Sequence, residues 1–337
     1  MHSWIFGLVV FTNSWLLCIC FIKTIQTRNI VSLFDNTVPP IWKVVSAPLK
    51  EQARQWFIKR ALLKGIDWEQ LTDQYKMPTS MDDMIKMKKR LENASMLYPD
   101  YFLQAFHGYD DGNMNWLAAQ ENEAAALSMC SNYWPNICAM DSEKWVRNNV
   151  TANIRKYRRN HWDGAKILDV GCSGGISTEY LVRGFPEAKV VYGLDLSPYF
   201  VSVGTFRAEK NGRSDKVNYV HANAERTMFR DGEFDLIVCS FLFHEVPRDA
   251  TGAILDELKR ILAPGGVLAI VDLDPDVLKR MSQFRKWAFE VTEPHIYGYY
   301  DSNMTENLVS RGFTNVVKSN NDPVNCIWIA SSDSLPI

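Results

Sequence analysis

The sequence predicts an α/β fold: a mostly parallel seven-stranded sheet closed by an antiparallel hairpin, flanked by helices and preceded by a helical extension. Three observations carry this. From Lys166 onward, apolar strand-like runs alternate with helical patterns, the signature of a parallel sheet wrapped by helices. A glycine cluster, "VGCSGG", directly follows the first of these runs. Near the end, "FTNVVKS" and "NCIWIAS" are separated only by a turn-rich stretch, which suits a hairpin.

Bulk properties narrow the class. The 337 residues are 47% apolar and 23% charged, enough for a sizeable core. A net charge of −2 argues against a dedicated nucleic-acid binder. The seven cysteines are scattered and odd in number, with no CxxC pair, so no zinc site or disulfide framework is indicated. No histidines stand at metal-ligand spacing, and no metal is expected. A reducing compartment fits this cysteine usage best.

At the amino end, residues 4–22 form 19 consecutive residues without a charge. At about 1.5 Å rise per residue, such a helix nearly matches a roughly 30 Å hydrocarbon core. A cleaved signal peptide and a buried helix are the alternatives; the first lacks a charged start and a small-residue cleavage site. The adopted reading is a single membrane anchor over residues 1–25. Lys23 and Arg28 follow the segment and no Lys or Arg precedes it, which puts the bulk of the chain on the cytoplasmic side.

Residues 26–50, with "NTVPPIW" and "SAPLK", read as a linker, and residues 51–97 as a charged helical extension. Ser80 with Asp83 is the pattern of a capping box. A polar, aromatic loop follows at 106–116, then helical stretches near 117–131 and 142–159. Arg155, Lys156, Arg158 and Arg159 form a run that reads as a solvated helix face. The strands are expected at "KILDV", "KVVYGLD", "KVNYVHA", "FDLIVCSF", "GVLAIVDL" and the two hairpin runs, with helices near 176–184, 198–211 and 249–262.

The glycine cluster raises the question of a cofactor. A dinucleotide fingerprint would need glycines where Ser173 and Ile176 stand, and a phosphate loop would need Lys where Ile176 follows Gly175. A cofactor without phosphates fits better. "LDVGCSGG" resembles the first motif of class I S-adenosylmethionine-dependent methyltransferases, with Ser173 in place of its middle glycine. Asp195 ends the second strand, 24 residues beyond Gly171, where an acid can accept both ribose hydroxyls. "HANAER", "FDLIVCSFLFHEVP" and "LKRILAPGGVLAIVD" resemble the later motifs of that family, in order. The region 98–330 also resembles a little-characterised branch of it known mainly from photosynthetic organisms.

The resemblance implies a Rossmann-like methyltransferase domain over 98–337, with cap and lead-in helices at 98–160 and the sheet core at 161–330. It implies S-adenosylmethionine as cofactor, held by Asp169, Gly171, Ser173, Gly175, Asp195, Leu196, Asn223 and Ala224. His244, after the fourth strand, is the first candidate base, with His107 as the second. Tyr109, Asp110, Glu293, His295 and Tyr297 are candidate acceptor-binding residues. Three functions stay open: a tethered enzyme with a small lipophilic acceptor, a methyltransferase of a soluble metabolite, and a catalytically silent cofactor-binding adaptor.

Overall fold

The computed structural model describes residues 47–134, 136–158, 162–282, 286 and 293–333. The apolar segment 4–22 lies outside them, and among the described residues no helix is long and apolar enough to cross a membrane.

The extension consists of α1 (Ala47–Leu63), α2 (Trp68–Lys76) and α3 (Pro78–Leu91). The last four residues of the expected linker are thus helical, because Pro48 falls in the first turn, where its missing N–H is not needed. Ser80 and Asp83 form no capping box. Pro78, with its φ preset for a helix, starts α3 ahead of them, and Ser80 is buried inside it. A 3₁₀ turn (Asp100–Leu103) and the loop beyond it lead to α4 (Trp116–Cys130) and α5 (Ala139–Tyr157). Asn115 caps α4 by accepting from the Ala118 N–H at 2.8 Å.

The sheet then alternates with helices: β1 (Lys166–Val170), α6 (Ile176–Gly184), β2 (Val190–Asp195), α7 (Pro198–Lys210), β3 (Val217–His221), β4 (Phe234–Ser240), α8 (Arg248–Ile261) and β5 (Leu262–Leu273). Next come α9 (Pro275–Arg280), α10 (Ile296–Tyr300), α11 (Met304–Ser310), β6 (Thr314–Asn320) and β7 (Asn325–Ser331). The strand order is β3-β2-β1-β4-β5-β7-β6. The first five strands run parallel, and β7 pairs antiparallel with both β5 and β6. This is the mixed, Rossmann-like sheet that the sequence predicts. The chain leaves β1 in one direction to β2 and β3, then returns to place β4 on its other side. In open α/β sheets ligands bind at such a reversal, beyond the carboxyl ends of the strands, here those of β1 and β4.

One boundary differs from expectation. β5 begins at Leu262, so Pro264-Gly265-Gly266 is a bulge within the strand instead of a turn before it. The partner register jumps from Leu262 to Val267 while β4 advances from Phe234 to Leu236. Gly265 takes up the extra chain at φ +69°.

Alternate residues of the central strands feed two apolar layers. Leu168, Ile237 and Ile270 pack with Ile254, Leu255 and Leu258 of α8. Their neighbours Ile167, Val238 and Val271 face the opposite layer, with Ile154, Leu181 and Val201. The extension joins through a smaller cluster, in which Tyr75, Met84 and Ala119 meet Phe200 and Val203 of α7.

Tyr219 of β3 lies in a slot that glycines make possible. A Cβ at Gly204 would sit 2.7 Å from its ring, and one at Gly193 equally close. Gly204→Ala is expected to lose stability: a helix-propensity gain of about 1 kcal/mol is outweighed by about 1–3 kcal/mol of overpacking. A lower urea midpoint with unchanged slope is the expected result.

Candidate active site

β1 ends at Val170, and the chain turns sharply through residues 171–175. Gly171, Ser173 and Gly175 all have positive φ, at +68°, +50° and +84°. Glycine adopts this region freely, whereas a serine there costs about 1–2 kcal/mol. The turn is held from β2. The N–H groups of Gly171 and Cys172 donate to the Leu194 carbonyl at 2.8 and 3.0 Å. The Ser173 N–H donates to Asp195 Oδ2 at 2.9 Å, and Asp195 Oδ1 accepts from Ser197 N–H at 2.8 Å. Ser173 therefore keeps the left-handed geometry that a glycine would have there.

The loop also has no room for side chains. A Cβ would meet Leu242 at 3.1 Å from Gly171, Asn122 at 3.1 Å from Gly174, and the Tyr219 hydroxyl at 2.0 Å from Gly175. This cradle, with a half-buried acid beside it, fits the adenosyl and methionine parts of the expected cofactor. Burial pushes Asp195 up to about 6, against the backbone N–H bonds that favour its charge.

Asp169, expected to meet the methionine part directly or through water, is enclosed by the fold. It is fully buried behind the loop, and its Oδ2 accepts from Ser177 Oγ and Thr178 Oγ1, each at 2.7 Å. Those bonds tie β1 to the first turn of α6. Its Oδ1 has no partner among the described residues, and burial pushes the group up to about 6.

His221 ties the segment after α3 to the end of β2. Its Nδ1 accepts from the Asn93 N–H at 2.9 Å, so Nε2 carries the proton toward the Leu196 carbonyl at 3.0 Å. Burial lowers its pKa and keeps the ring neutral. The segment after α3 is thereby pinned over Leu196, and Tyr101 Oη donates to Glu225 at 2.6 Å. Asn223 turns its Oδ1 onto the Glu225 N–H at 2.8 Å, while Ala224 packs against the core.

Beyond the carboxyl ends of β4 and β5, titratable groups from four separate segments converge. His244 Nδ1 lies 2.6 Å from Asp272 Oδ1, and Asp272 Oδ2 accepts from the Phe243 N–H at 2.8 Å. Burial favours a neutral imidazole, but the Asp272 carboxylate outweighs it and pushes His244 up to about 9. His107, at φ +50°, places Nε2 3.0 Å from Glu293 Oε1 and 3.6 Å from Glu245 Oε1. Burial opposes its charge, but Glu293 and Glu245 raise its pKa. Glu245 Oε1 is also 4.0 Å from His244 Nε2. Burial drives Glu245 up to about 7 even though both histidines pull it back. Among the described residues, no group of His, Cys, Asp and Glu is set to hold a metal ion.

Residues 168–270 match the family model described as a methyltransferase domain. The chain is 33% identical over 132 residues to a ubiquinone biosynthesis O-methyltransferase of Psychrobacter cryohalolentis, covering 37% of this chain and 49% of that one. It is 38% identical over 110 residues to an uncharacterized methyltransferase of Synechocystis sp., covering 33% and 48% of the two chains. A crystal structure of an S-adenosylmethionine-dependent methyltransferase from Aquifex aeolicus gives a TM-score of 0.43 at 21% identity, over 56% of this chain and 93% of that one. This chain spans about half the length of the curated relatives it matches.

The matched stretch runs from β1 into β5 and includes the loop 171–175, Asp195 and His244. Asp272, His107 and Glu293 lie outside it. Of the expected acceptor residues, Glu293 reaches the histidine cluster directly. His295 sits behind it, edge-on to Tyr101 at 5.9 Å, with burial lowering its pKa. Tyr109 instead donates to Glu121 Oε2 at 2.7 Å, a buried carboxylate that also binds Arg54 and Trp68. Asp110 and Tyr297 are exposed. Glu245 and Asp272 were not expected. Glu245 adjoins His244 in sequence and Asp272 stands one residue before the end of β5, and no motif marks either.

Asp169 carries a pH consequence. Its folded pKa, about 6, lies above the unfolded 3.8, so its charge weakens the fold above about 6 and stops doing so as the pH falls toward 3.8. Asp169→Asn is expected to stabilise the protein at pH 7.5 by about 1–3 kcal/mol, and much less at pH 4. Thermal unfolding at the two pH values checks this; equal gains at both would contradict it.

Proposed function

We propose that this protein is an S-adenosylmethionine-dependent methyltransferase acting on a small acceptor. The observation that carries the reading is the left-handed loop 171–175, fastened to Asp195 at the carboxyl ends of β1 and β2. Bound there, S-adenosylmethionine supplies an activated methyl group. In this reading Asp195 accepts the ribose hydroxyls, and the bare glycine backbone approaches the methionine part. Leu196, Asn223 and Ala224 border the adenine end, where His221 holds the extension in place.

His244 Nε2 is the ring nitrogen left for an acceptor, because Nδ1 is engaged by Asp272. Asp272 fixes the ring orientation and supports the imidazolium that forms when Nε2 takes the acceptor proton. The silent-adaptor alternative rested on Ser173, and the backbone it adopts removes that motive.

A labelled methyl group offered with a small-molecule extract tests the reading: label is expected in a low-mass product, and label only in protein or nucleic acid would refute it. With that product's precursor in hand, His244→Ala should reduce turnover about 10²–10⁴-fold. The rate should rise with pH through about 9 as His244 loses its resting proton, and Asp272→Asn should move that limb to lower pH. A flat profile would remove His244 as the base.

We also propose a lipophilic acceptor and membrane attachment through residues 4–22, with the domain on the cytoplasmic side. Supporting this, α1 exposes Leu62 and Leu63 beside Lys59, Arg60 and Lys64, a surface suited to anionic headgroups. Deleting residues 1–25 should release a domain that still binds cofactor. In the full chain, the sequons at Asn93, Asn149 and Asn303 should stay unglycosylated. Glycosylated Asn149 would reverse the topology.

A further inference from the structure

The histidine cluster has a feature that proton removal does not use. Glu293 is only 6% exposed, and its Oε1 faces His107 at 3.0 Å. Its Oε2 is buried with no hydrogen-bond partner among the described residues. A buried carboxylate oxygen is costly to leave unpaired and calls for a donor. The surroundings narrow which donor. Glu293, Glu245 and Asp272 converge on His107 and His244, so three acids face two imidazoles.

We propose that Glu293 is a specificity residue that reads a hydrogen-bond-donating group on the acceptor, a hydroxyl or a protonated amine, near the group that is methylated. This rests on the methyltransferase reading above and specifies the acceptor's charge. An acceptor carrying a carboxylate or phosphate at that position would bring a further anion against Glu293 and Glu245. Like charges at this range repel, and the penalty grows where water is excluded. A neutral or cationic donor instead completes the open valence of Oε2. Each half of the cluster also borders an aromatic ring: Phe106 lies 3.8 Å from His107, and Tyr299 lies 6.1 Å from His244, centroid to centroid. Flat aryl probes therefore suit the site.

Three catechols matched in shape and differing in charge provide the test: the unsubstituted ring, the 2-aminoethyl derivative and the carboxymethyl derivative. Binding to the full chain is measured by calorimetry or ligand-observed NMR, with S-adenosylhomocysteine present and absent. Cofactor-product binding is recorded separately, so failure of the methyltransferase reading is distinguished from failure of the acceptor rule. The amine and the neutral ring are expected to bind at least about tenfold more tightly than the acid. Glu293→Gln should compress the amine-to-acid ratio by about tenfold. Equal binding of amine and acid by the unaltered protein overturns the proposal, as does binding of none of them at millimolar concentration. A ratio unchanged in a folded Glu293→Gln protein overturns it as well. Should that variant not fold, the charge series on the unaltered protein decides alone.

Discussion

The bond from the Ser173 N–H to Asp195 is the constraint on which the site depends. A left-handed turn after β1 is unfavourable for a serine, and neither Gly171 nor Gly175 would hold it unaided. Asp195 supplies the restraint from the next strand, fastening the turn on one carboxylate oxygen and the start of α7 on the other. Strand order does the rest. Because β2 and β4 flank β1, the turn lies at the reversal of the sheet, beside the carboxyl ends of neighbouring strands. The same carboxylate is partly desolvated in doing this, and burial pushes it up to about 6.

The histidine cluster is assembled differently. His244 and Glu245 come from the loop after β4, Asp272 from the end of β5, His107 from the polar loop before α4, and Glu293 from the segment before α10. These groups are linked by ion pairs and not by a continuous turn, so each one's charge depends on the others. The extension contributes indirectly. Glu121 gathers Arg54, Trp68 and Tyr109, which fixes the loop bearing His107 against α4. A segment far from the chemistry in sequence thus sets the position of one imidazole.

Much of this was legible beforehand. The strands have sharp apolar runs, and "KILDV" and "NCIWIAS" coincide with β1 and β7 to the residue. The loop and Asp195 were readable because their spacing follows from one βαβ unit, a local matter. Local signals also misled. Ser80 and Asp83 have capping-box spacing, but Pro78 sets the helix start. Tyr109 stands one residue beyond the His107-Gly108 pair, yet its hydroxyl turns toward α4, because Glu121 is buried and needs donors. Asp272 and Glu245 carry no pattern of their own. Their significance appears only when β4 and β5 are paired in register and His244 is brought to one end of that pair.

The central claim is that loop 171–175 and Asp195 together hold the cofactor. Calorimetric titration of the full chain with S-adenosylhomocysteine tests it most directly, with Asp195→Asn as the comparison, since Asn removes the charge and keeps one of the two acceptor oxygens. Saturable binding of one molecule per chain is predicted, weakened about tenfold or more in the variant. No saturable heat in the unaltered protein, or equal affinity in a folded Asp195→Asn protein, would contradict the account.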